Sequence, residues 1–170
     1  VFETVGGFDE AYRLPSIEDI ELGYRLTGAG YRIRLLPTLQ VKHLKRWEAR
    51  SLIRTDFFQR AVPWTELLLG RKSATRDLNL AIAYKASIVI SYLLCLAMLF
   101  AVLRWRQALV AGVTLLICFV AINWSLLYFF YKKRGLWFAL GCVCWKFIYD
   151  LYSGAGFIGG ALCFVLRRNR

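Results

Sequence analysis

With 170 residues the chain has room for about one ordinary domain, but 58% hydrophobic residues and a mean hydropathy of +0.47 exclude a single water-soluble unit. Its formal net charge of +12 is unevenly placed, because residues 1–80 hold thirteen Lys/Arg against ten Asp/Glu while residues 81–170 hold ten against the single acid Asp150. Basic residues beside apolar runs indicate a membrane, and the same charges form no stripe on a soluble module, which argues against nucleic acid as a partner.

The N-terminal stretch VFETVGGFDE lacks the basic leader, apolar core and cleavage site of a signal peptide. Without an initiator Met, the chain is expected to be a piece that starts inside a larger domain. After Pro15, Ser16 is a good N-cap with Asp19 three positions on, so a helix with acids in its first turn is predicted to run to about Thr27, where Gly28 and Gly30 stop it. The stretch YRIRLL then alternates in the two-residue period of a strand up to Pro37. A second short strand, TLQVKH, sets Leu39, Val41 and the chain's only histidine, His43, on one face.

From Arg50 to Lys72 apolar and aromatic residues alternate with Arg50, Arg54, Arg60, Arg71 and Lys72, the pattern of an interfacial amphipathic segment, interrupted at Pro63. Residues 83–103 and 108–131 each reach the roughly 20 residues that cross a bilayer. Residues 136–166 are apolar again but carry Lys146 and Asp150 four apart, followed by SGAGFIGG. One charge deep in lipid costs about 3 kcal/mol on insertion scales and a paired one less, so this pair is predicted to face protein or water and the glycines a neighbouring helix. The five cysteines all fall in apolar runs and imply no disulfide framework. Cys142 and Cys144 lack the partners a zinc site needs. Three crossings would put Lys132, Lys133 and Arg134 on the inner face but leave Arg104, Arg106 and the tail RRNR outside.

The order GGFDE, a short gap, EDIELGYRL, then GYRIRLLP and VKH resembles the C-terminal half of the catalytic domain of inverting family-2 glycosyltransferases, above all the membrane-anchored ones, over residues 1–64. The resemblance implies an α/β class, the C-terminal part of a GT-A nucleotide-sugar-binding domain, followed by an interfacial helix and two to three transmembrane helices. The chain then divides into residues 1–49 of that catalytic domain, an interfacial segment at 50–80 and a transmembrane region at 81–170.

The same resemblance implies that Asp19 is the general base that deprotonates the acceptor hydroxyl, with Glu18 and Glu21 as supporting acids. A carboxylate suits this role because inversion needs a nucleophile opposite the leaving nucleotide diphosphate and a group beside it to receive its proton. Without the upstream motif, Asp19 reads as an ordinary first-turn acid. Gly6 and Gly7 ahead of Phe8 would let an acceptor approach the backbone closely, or form a plain turn. His43 matches the position at which some relatives bind the divalent cation, Mg²⁺ or Mn²⁺, and is otherwise a structural strand-end residue. Gln59, Arg60 and Trp64 are similar to an element of processive synthases in which Arg meets the diphosphate and Trp the acceptor. Their spacing departs from it, and a basic aromatic anchor at the membrane surface accounts for them as well.

The family's metal-binding Asp-x-Asp does not occur ahead of GGFDE in this sequence. The chain by itself is therefore expected to lack most of the donor site and not to turn over a nucleotide sugar. The intact enzyme is expected to be a multi-pass membrane protein that moves a sugar from a nucleotide-diphosphate donor to a lipid-linked or polysaccharide acceptor at the cytoplasmic face. Two other classes fit parts of the pattern: a non-catalytic membrane scaffold with a glycosyltransferase-like fold, and a small transporter subunit using Lys146 and Asp150.

Overall fold

A computed structural model describes residues 1–12, 17–42, 44, 46–70, 82–103 and 106–169. Of these, 77% are helical and none is in a strand, so the α/β class expected from the sequence is not what the chain forms. The alternation from Tyr31 to Leu36 is present, but alternation sets only which side chains share a face. A strand also needs a neighbour to pair with, and a two-stranded ribbon is marginal on its own. Here the described residues of the segment form no strand, and Leu35 and Val41 are about nine-tenths exposed. The amide of Leu39 turns back to the carbonyl of Leu36 instead of to a partner strand.

The helices are α1 (Glu18–Gly28), α2 (Ala49–Arg54), a π-helical stretch (Thr55–Ala61), α3 (Val62–Gly70), α4 (Ile82–Val102), α5 (Arg106–Ile122), α6 (Trp124–Arg134) and α7 (Leu136–Arg168). They fall into two compact units, Val1–Ser73 with Gly156–Arg170, and Ala74–Ala155.

In the first unit, α1 starts with Glu18, Asp19 and Glu21 in its first turn and buries Ile17, Glu21 and Leu22. Ile17 occupies the N-cap without a side-chain bond, and the predicted cap Ser16 lies outside the described residues. The C-terminus closes as a Schellman motif, in which Gly30 at φ 86° lets the amide of Tyr31 reach the carbonyl of Leu26 and its own amide that of Thr27. Pro63 does not interrupt the next helix. The π-helical stretch ends just before it, so the residue without an N–H stands at the start of a fresh α-register.

The end of α7 packs on this helix through glycine. A Cβ at Gly156 would stand 2.5 Å from that of Ala61, and one at Gly160 would stand 2.6 Å from the carbonyl oxygen of Val62 and from Cβ of Thr65. Arg167 adds an ion pair to Glu66 at 2.6 Å. Gly160→Ala is therefore expected to cost about 1–3 kcal/mol through overpacking, despite alanine's better helix propensity. At Gly159 the nearest atom is 3.7 Å away, so Gly159→Ala should be neutral or stabilising. Thermal unfolding in detergent reads both, and a Gly160→Ala protein as stable as the parent would contradict the packing.

Among the described residues two helices, α4 and α7, are long and apolar enough to cross a membrane, and the pair α5 and α6 would make a third if counted as one span. The single span expected over 108–131 is bent by 70° at Asn123. There the backbone sits at φ −98°, ψ 8°, and the Asn123 side-chain amide donates to the carbonyl of Phe119 at 2.9 Å, a local bond of the kind that competes with a regular helix. Gly112 lies against Ala97 where α5 meets α4, and Gly154 lets the ring of Tyr92 approach α7.

Candidate functional site

The two sequence motifs meet through one side chain. Arg25, on α1, donates from Nη1 to the carbonyl of Val5 and from Nη2 to that of Gly7 at 2.6 Å, while its Nε bonds both oxygens of Glu21 at 2.8 Å. Gly6 and Gly7 hold φ of 86° and 65°, left-handed values in the loop whose Val5 and Gly7 carbonyls accept from the guanidinium. The hydrogen bond to Glu21, opposed by desolvation and helped by the charges of Glu21 and Asp9, raises the Arg25 pKa further above its already high ordinary value. The link therefore stays cationic at any pH the folded chain meets.

Around this joint the predicted residues take different places. Asp19 is exposed on the first turn of α1, with Oδ1 accepting the amide of Ile20 at 2.8 Å, and Glu18 beside it is half-buried. Glu21 is buried and its carboxylate is engaged by Arg25, so it holds the loop to the helix. Phe8 is half exposed and meets the edge of Phe2 at 5.3 Å.

Arg60 and Trp64 lie elsewhere, on the π-helical stretch and α3. Arg60 pairs with Asp56 at 2.9 Å and sits 5.7 Å from the ring centre of Trp47, while the buried indole nitrogen of Trp64 has no hydrogen-bond partner among the described residues. His43 lies outside the described residues, and among those described no three His, Cys, Asp or Glu side chains converge as a metal site.

Arg25 has no role in the motif as the resemblance assigns it, although its spacing of four from Glu21 is the signal for an ion pair on one helix face. Arg25→Ala should free the loop and remove its ion pair with the buried Glu21 carboxylate, costing about 2 kcal/mol. Hydrogen exchange at Gly6 and Gly7 would rise markedly. Unchanged protection there would remove the joint.

A second polar cluster is built inside the apolar helices. Asp150, fully buried on α7, accepts from Ser87 Oγ at 2.6 Å and Ser91 Oγ at 3.3 Å on α4, and is paired with Lys146 one turn earlier on its own helix. Asn123, at the bend, donates to Ser87 Oγ at 2.8 Å, and Lys146 also reaches that oxygen at 3.2 Å. The ammonium lies 5.2, 5.7 and 6.0 Å from the ring centres of Tyr84, Tyr149 and Phe119. The cluster is closed: each charge has an opposite charge, and the Ser87 hydroxyl gives one hydrogen bond and takes two. Comparison of the chain with family models, curated proteins and solved structures returns no match.

Proposed function

We propose that the chain forms the acceptor and general-base side of a membrane-bound inverting glycosyltransferase acting at the cytoplasmic face. What supports this is the Arg25 joint, which ties the Gly6–Gly7 loop to the helix carrying Glu18 and Asp19 and leaves the Asp19 carboxylate exposed beside it.

In the transfer, the acceptor hydroxyl oxygen attacks the anomeric carbon from the side opposite the diphosphate. The carbon–oxygen bond to the diphosphate breaks, the nucleotide diphosphate leaves with that electron pair, and the hydroxyl proton passes to Asp19. Glu18 is on the same first turn of α1 and would act as a supporting acid. Apolar helices of spanning length suit a lipid-linked acceptor or a growing polysaccharide held at the bilayer surface.

The test is transfer of labelled sugar from a panel of uridine and guanosine diphosphate donors into lipid and polymer fractions. Membranes holding the native full-length protein are compared with membranes holding its Asp19→Asn variant. Transfer that depends on Asp19 is expected. Transfer undiminished by the substitution would leave the chain a non-catalytic binding module.

A further inference from the structure

The candidate crossings number two, or three if the bent pair α5 and α6 is one span, and contacts within one compact unit bear on which count is real. That unit joins the residues before α4 to the residues that end α7. Gly156 lies against Ala61, Gly160 against Val62 and Thr65, and Arg167 bonds Glu66. Three successive turns of α7 thus contact the helix that precedes α4, over a stretch from Gly156 to Arg167 that is about 17 Å long at 1.5 Å per residue.

Between α3 and α4 the sequence from Arg71 to Ala81 includes Arg71, Lys72, Arg76 and Asp77. It holds nothing like the roughly 20 apolar residues that a crossing needs. The start of α4 is accordingly on the same membrane face as α3, and the end of α7 is on the face of α3 as well. A chain that leaves a face and returns to it has crossed an even number of times.

We infer that residues 82–168 cross the membrane an even number of times, so that the C-terminal arginines share the face of the N-terminal segment. Of the three candidates obtained by counting the bent pair as one span, one then does not pass through the membrane. The inference also gathers Arg46, Arg50, Arg54 and Arg60 with Arg167 and Arg168 on one face, the distribution expected of an inner face in contact with anionic lipid. It is independent of glycosyl transfer and stands or falls on topology alone.

Two measurements on the full chain test it. With one epitope tag before Val1 and another after Arg170, protease added to sealed vesicles should remove both tags together in one vesicle orientation and spare both in the other. Loss of one tag with protection of the other overturns the inference. In a background with the five native cysteines replaced, Glu66→Cys with Arg167→Cys should give an oxidant-dependent intramolecular cross-link in the membrane. Failure of that cross-link removes the contact on which the even count depends.

Discussion

Asp19→Asn is expected to lower sugar transfer about 10²- to 10⁴-fold, the usual contribution of a positioned base, with little change in stability. Asparagine keeps the shape of the side chain and an oxygen for the Ile20 amide but cannot take the acceptor's proton. Asp19 is exposed, so the exchange leaves no buried group stranded. On the proposed reaction, steady-state kinetics of the full-length protein should therefore show the fall in kcat with KM for the donor nearly unchanged. Glu21→Gln is the contrasting substitution: it weakens the Arg25 joint, so its effect should appear in loop order and stability before it appears in turnover. A Glu21→Gln enzyme as damaged in kcat as Asp19→Asn, with an intact loop, would move the base to Glu21.

Lys146→Leu carries the largest expected effect on stability. It leaves Asp150, with no exposed surface, facing Ser87 and Ser91 without a counter-charge. Breaking a buried pair by removing one partner costs on the order of 3–5 kcal/mol, whereas replacing both partners with apolar residues is often neutral. Lys146→Leu with Asp150→Leu should accordingly recover most of the stability lost by the single substitution. Unfolding in detergent across the double-mutant cycle measures the coupling. A single substitution no worse than the double would show that the pair is not coupled. If the cluster carried ions, the double substitution would abolish flux while preserving the fold.

The apolar helices are the most legible part of the chain. Length and hydropathy place α4 within a residue of the expected 83–103, because a crossing helix is set by one long-range variable, the bilayer thickness. The bend at Asn123 is not legible in this way, since one amide in an apolar run barely alters a window average, whereas its bonds to Phe119 and Ser87 decide the local geometry. Ser87 and Ser91 escape notice for a related reason. Small hydroxyls are unexceptional in a spanning helix until an acid on another helix needs them, although their spacing of four already sets them on one face. The expected strands fail because the pattern at Tyr31 to Leu36 reports a face and leaves out the partner. At the candidate site, the motifs locate Asp19, Gly6 and Gly7, but the residue that connects them, Arg25, emerges only once Val5 and Gly7 are brought within its reach.

The closed cluster of Ser87, Ser91, Asn123, Lys146 and Asp150 also has a consequence for divergence. A chain that loses Asp150 no longer needs the hydroxyls of α4 or the ammonium of α7, while one that keeps Asp150 cannot give up Lys146 without stranding a charge. These five positions should therefore vary as a group among related sequences, with polar sets exchanged wholesale for apolar ones. Mixed sets should be rare.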